Sequence, residues 1–237
     1  MGETSEDETP TILMWGDTST GKTSLIAAAL FDHPEQLPLD MEKTGREANA
    51  VRLNEHWHDL REGRLRAGTA QPYDLPLYRR DGGRVLLRDI RGSQIDEAGD
   101  PAVVGRALAS AAAVLFVLDF QAQDPIKPLR AIDGIWNIAR DRAKALIFTK
   151  CELILEHDHR AWEARRGWWQ DFPQFRNLAR DIERFEDAVF PTSVYGYHRR
   201  SKAPAVTLGE FGEMRPSGVA PKGIVAPFGW ALERSAR

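Results

Sequence analysis

Between an apolar run at residues 11–15 (TILMW) and an alanine-rich stretch stand Gly16, Asp17, Thr18, Ser19, Thr20, Gly21, Lys22, Thr23 and Ser24. The spacing Gly-x4-Gly-Lys-Thr is the one a phosphate-binding loop requires. Small residues let successive backbone N–H groups curl around an oxyanion, and a helix start adds partial positive charge. Lys22 is then placed to reach β- and γ-phosphates, and the Thr23 hydroxyl to reach Mg²⁺.

Three further groups follow in order. Asp89-Ile90-Arg91-Gly92 has the form DxxG after an apolar run; an acid there can hold a Mg²⁺-bound water, while the Gly92 N–H can meet a γ-phosphate. Thr149-Lys150-Cys151-Glu152 follows the run KALIFT. A carboxylate at Glu152 can accept from guanine N1–H and from the exocyclic amine. Adenine offers an acceptor at N1 and would leave that carboxylate unpaired, at a cost of roughly 1–3 kcal/mol. The Lys150 stem can lie along a base. Pro191-Thr192-Ser193-Val194 closes the series, with a backbone N–H available to a guanine carbonyl.

These groups need a sheet edge to hold them. Strands are expected over 11–15, 113–120, 144–149 and 188–193, with a hairpin of 74–80 and 84–90 about the turn Asp81-Gly82-Gly83. Helices are expected over 22–31, 47–61, 101–113, 126–142, a tryptophan-rich region from Leu153, and 226–234. Strands alternating with helices predict an α/β fold, a three-layer sandwich with a mainly parallel sheet and one antiparallel edge hairpin. Residues 1–10 read as an acidic, disordered tail, 11–198 as one nucleotide-binding domain, and 199–237 as a Gly/Pro-rich segment and closing helix packed on it.

With 237 residues, 42% of them hydrophobic and 28% charged, the chain has material for a sizeable core. A net charge of −3 gives no electrostatic case for nucleic acid. Cys151 is the only cysteine, so the chain cannot close an internal disulfide, and a reducing compartment is expected. No Lys or Arg precedes Lys22 and no apolar run is long enough to span a bilayer, so the expectation is a cytoplasmic protein without a transmembrane segment.

The motif set GDTSTGKT, DIRG, TKCE and TSV resembles that of the Ras-like, translation-factor-related superfamily of P-loop GTPases, over roughly residues 11–195. The long first switch, the Gly68-Thr69 pair and the closing APFGWAL resemble the bacterial double-GTPase group, which is associated with conflict and defence systems. The resemblance implies a small-GTPase-like fold, GTP or GDP as ligand, Mg²⁺ as cofactor, and a protein partner or effector, a second GTPase among the candidates. It implies that residues 16–24 hold phosphates, that Thr23, Thr69 and Asp89 hold the metal, and that Thr149, Lys150, Glu152, Ser193 and Val194 form the base pocket. Lys22, Thr69, Asp89, Gly92 and Gln94 would serve the reaction, with Thr44 as the alternative to Thr69.

Two departures matter. Glu152 stands where the family has Asp, one methylene longer, and Ser93 stands where a glutamine orients the attacking water in the Ras branch, with Gln94 one place later. The expected activity is therefore a GTP switch with slow hydrolysis. A nucleotide-locked scaffold and an ATP-using enzyme are the rival readings. The pairs His56/His58 and His157/His159 suggest metal only superficially, because residues two apart on a helix face different ways. Trp162, Trp168 and Trp169 read as packing for a helix on the sheet, with a partner anchor as the alternative.

Overall fold

The computed structural model describes residues 9–17, 19–64, 73–91, 101–120, 129, 132–133, 135–153, 167–185, 188–196, 206–208, 214–216 and 221–236. Six strands form one sheet: β1 (Thr11–Gly16), β2 (Tyr73–Tyr78), β3 (Arg84–Arg91), β4 (Ala111–Asp119), β5 (Ala143–Thr149) and β6 (Val189–Pro191). Their order is β2-β3-β1-β4-β5-β6. Every neighbouring pair is parallel except β2 with β3. The α/β expectation and its antiparallel edge hairpin are thus present.

Alternation along the strands explains why both faces are covered. In β1, Ile12 and Met14 point into one apolar cluster while Leu13 and Trp15 point into the other. In β4 the split is Ala113, Leu115 and Val117 against Val114, Phe116 and Leu118, and in β5 Ala145 and Ile147 against Leu146 and Phe148. Successive side chains leave opposite sides of a strand, so a continuous apolar run demands helices above and below. The first face receives α1 (Lys22–Phe31), α3 (Ala48–Arg61) and, near the C-terminus, the helix Ala226–Arg234. The second receives α4 (Pro101–Ser110), the segment around Ile132 and Ile135, and the short helices Pro173–Arg176 and Ala179–Glu183. A short helix α2 (Met41–Thr44) precedes α3.

Several boundaries differ from those read in the sequence. The 101–113 helix stops at Ser110, and the next three alanines begin β4 instead. Of the expected 126–142 helix, the described residues are helical at 129, 132–133 and 135–136 and give way to turn from Asn137. The tryptophan-rich region contains a 3-10 turn (Trp168–Asp171) and two short helices among its described residues. Trp168 and Trp169 are buried there, which settles them as packing; Trp162 lies outside the described residues. Within 199–224 a small antiparallel ribbon pairs Val206–Leu208 with Met214–Pro216. The closing helix buries Phe228, Ala231 and Leu232 in the first-face core. Among the described residues no helix is long and apolar enough to cross a membrane.

Candidate functional site

The parallel strands present their C-terminal ends along one edge, and the candidate residues follow those ends. Strand β1 leads through α1 towards the β2–β3 side, whereas its neighbour β4 leads to β5 on the other side. Adjacent strands whose connections diverge open a crevice at their C-terminal ends. Gly16 sits at that point. A Cβ there would lie 2.5 Å from the Val117 carbonyl oxygen, so only glycine lets β1 pass so close to β4.

The loop beyond Gly16 is built from left-handed residues and cross-links. Ser19 and Gly21 have φ of 68° and 84°. The Thr20 hydroxyl donates to the Asp17 carbonyl at 2.9 Å. The Thr149 hydroxyl, at the end of β5, lies 2.6 Å from the Thr20 carbonyl and 3.1 Å from that of Leu118, and it has one proton to give. Thr149 thereby ties the glycine loop to β5. The Lys22 ammonium folds back to donate to the Gly16 carbonyl at 2.5 Å and the Asp17 carbonyl at 3.0 Å. It lies 4.0 Å from a carboxylate oxygen of Asp89, with both side chains buried. Tyr73, opposite Asp89 in the hairpin register, has its phenol held well above the usual range, first by burial and then by the Asp89 charge. Thr23 and Ser24 open α1, whose N-terminus lacks a side-chain cap from Gly21.

At the other end of the edge, Lys150 adopts φ 57° and its ammonium contacts an Asp119 carboxylate oxygen at 2.5 Å. Asp119 ends β4 in register with Thr149, and the sequence reading passed over it. Its signal was an acid terminating an otherwise apolar run. Glu152 follows on the 3-10 turn Cys151–Leu153 and is 1% exposed. Its Oε2 is buried without a hydrogen-bond partner among the described residues. Burial pushes the carboxyl up to about 7, against the lowering effects of a Ser193 hydrogen bond and the Lys150 charge. Ser193 also accepts from the Gly196 N–H at 2.7 Å, and its backbone exchanges two hydrogen bonds with Lys222. The Tyr195 phenol is pushed up to about 12 by burial and by Glu152. Cys151 is fully buried with its thiol pushed up, an unreactive filler.

The structure therefore brings Gly16, Asp17, Ser19, Thr20, Gly21, Lys22, Thr23, Ser24, Asp89, Thr149, Lys150, Glu152, Ser193 and Val194 to one edge of the sheet. Thr18, Thr69, Gly92, Ser93 and Gln94 lie outside the described residues. Thr44, the alternative first-switch threonine, is fully buried, and its hydroxyl accepts from the Tyr78 N–H at 3.1 Å. Tyr78 closes the hairpin end of β2, five residues from Tyr73 at the Asp89 end. At about 3.4 Å per residue Thr44 belongs to the far end of the sheet. The sequence reading weighed His56 only with His58 as a metal pair; on α3 its Nε2 instead lies 3.0 Å from the Ser24 hydroxyl. No family model matches this chain, and no curated protein matches it.

Proposed function

We propose that this chain is a P-loop domain that binds a guanine nucleotide across the β1–β4 crevice and works as a GTP switch. The six-stranded, mostly parallel sheet is compatible with such a fold. The observation that carries the reading is Glu152, whose buried Oε2 lacks a hydrogen-bond partner among the described residues. A carboxylate oxygen in that condition costs free energy unless donors arrive from outside the protein. Guanine supplies two adjacent donors, and the Lys150–Asp119 contact and the Ser193 hydrogen bond hold the neighbouring groups in place. The Val194 N–H, beyond the Ser193 backbone that is already paired with Lys222, is the donor for the guanine carbonyl.

At the phosphate end, Ser19 and Gly21 give the loop the left-handed turns that aim backbone N–H groups at an anion. The Lys22 ammonium is held at the loop by two carbonyls and needs only to extend to meet phosphate oxygens. The Thr23 hydroxyl and the Asp89 carboxylate are hard oxygen donors beside that lysine, a donor set that suits Mg²⁺. When bound, Mg²⁺ supplies charge neutralisation at the β- and γ-phosphates. In hydrolysis water attacks the γ-phosphorus as its bond to the β–γ bridging oxygen breaks, GDP leaves and phosphate is released, and Lys22 stabilises the charge that develops on the phosphoryl oxygens. Ser93 is too short to orient that water, which favours slow turnover and leaves a nucleotide-locked scaffold as the second reading. The double-GTPase resemblance makes a second GTPase the first partner to try. Chromatography of the nucleotide retained by the purified protein tests the reading: guanine nucleotide supports it, and adenine nucleotide contradicts it.

A further inference from the structure

The segment joining α1 to β2 carries α3, and α3 is fixed on two sides. Leu53, Trp57 and Leu60 bury one face in the cluster that holds Leu25 and residues 26–30 of α1. The Asn49 amide donates to the Asp74 carbonyl on β2 at 2.7 Å, and the Tyr78 phenol donates to Glu47 at 2.7 Å. Asp74 is in turn clamped by Arg88 of β3 at 2.8 and 2.7 Å. From this anchored helix His56 reaches back across 32 residues to the first turn of α1, with Nε2 3.0 Å from the Ser24 hydroxyl oxygen.

Ser24 is the third residue of α1, in its first turn, and helical side chains lean towards the N-terminus of their helix. A serine hydroxyl has one proton to give. If Nε2 accepts it, nothing remains for a phosphate. If Nε2 carries hydrogen and donates to Ser24, the hydroxyl proton is left to point out of the helix mouth. The second arrangement is the one compatible with an oxyanion at this loop.

We propose that His56 is a positioning residue for the phosphate site: it donates from Nε2 to Ser24 and so turns the Ser24 hydroxyl into a donor for a nucleotide phosphate. The inference rests on the guanine-nucleotide reading above. It makes α3 a structural link between the phosphate loop and the β2–β3 hairpin that carries Asp89. Because linkage is reciprocal, whatever displaces α3 weakens nucleotide binding by the same factor that nucleotide resists that displacement.

The test is a double-mutant cycle on GDP affinity in Mg²⁺ buffer with the full chain, together with urea midpoints. His56→Leu removes the donor and should weaken GDP binding about tenfold, the worth of one hydrogen bond to a charged group. Ser24→Ala should cost about the same, and the double variant no more than either alone. His56→Gln places an amide N–H near the Nε2 position and should recover GDP affinity to within about twofold. Additive losses, or GDP affinity unchanged in His56→Leu while its urea midpoint falls, would show that His56 only glues α3 to α1. A wild-type protein that binds no GDP would overturn the guanine reading itself, and this inference with it.

Discussion

Replacing Glu152 by Gln keeps the shape of the side chain and removes its charge. In the folded protein the carboxyl is held up to about 7, against an ordinary value of 4.5, and burial is the main cause. A carboxyl raised in this way prefers to stay protonated. The penalty for ionising it is therefore absent below about pH 4.5, grows from there, and is complete above about pH 7. At about 1.4 kcal/mol per pH unit, a displacement of that size is worth roughly 3 kcal/mol. Without nucleotide, the wild type should lose about that much stability relative to Glu152→Gln between pH 4.5 and 7, with the difference constant above. Urea unfolding of both proteins at pH 4.5, 5.5, 6.5, 7.5 and 8.5 measures it. Guanine donors favour the carboxylate form, so guanine-nucleotide affinity of the wild type should rise with pH through about 7, whereas Glu152→Gln should bind weakly at every pH. Parallel stability curves would refute the claim that Glu152 is a buried acid, and a pH-independent wild-type affinity would refute its role at the base.

Lys22→Ala deletes the cation that contacts the Gly16 and Asp17 carbonyls, and should abolish high-affinity nucleotide binding; an unchanged titration with a fluorescent guanine nucleotide would contradict the phosphate assignment. Thr149→Val is nearly isosteric but removes the one hydroxyl proton shared between the buried Thr20 and Leu118 carbonyls, so it should destabilise the fold by about 1–3 kcal/mol and weaken nucleotide binding with it, read from urea midpoints and Kd. Single-turnover GTP hydrolysis by the isolated protein should proceed near 10⁻⁴ s⁻¹, with roughly 10³–10⁵ available from an arginine supplied by a partner. A fast rate that is independent of protein concentration and survives both Gln94→Ala and Arg91→Ala would falsify that account.

The central strands were legible because their burial is two-sided. TILMW, AVLFVLDF and KALIFT are apolar at nearly every position, and only a covered parallel strand needs that. The hairpin was legible from Asp81-Gly82-Gly83, where Gly82 takes φ 91° and the Asp81 carboxylate accepts from the Gly83 N–H. Helix α3 was legible from Val51, Leu53, Trp57 and Leu60, although Val51 is exposed and only the other three face the core. The end of α4 was not, because alanine suits both a helix and a small position in a strand, and the boundary at Ala111 is set by pairing with Thr11. Neither was the ribbon of Val206–Leu208 with Met214–Pro216, whose three-residue strands are too short to show a period. The motif residues of the site announced themselves by spacing. Its supports did not: Asp119 meets Lys150 through strand register, His56 meets Ser24 through helix packing, and Thr44 is spent on Tyr78. Each is a contact made across 30 or more residues, and no local pattern encodes it. Glu152 was legible as a carboxylate placed after a strand, but its near-complete burial was not, because the surrounding packing sets it.

The central claim is that this edge of the sheet holds a guanine nucleotide, and competition titration tests it most directly. Displacement of a fluorescent GDP analogue from the wild-type protein in Mg²⁺ buffer at pH 8 should require about ten to a hundred times more ADP than GDP, the selectivity expected from one buried carboxylate. The same experiment on Glu152→Gln should bring the two curves together. Equal displacement by ADP and GDP in the wild type, or tighter binding of ADP, would contradict the account.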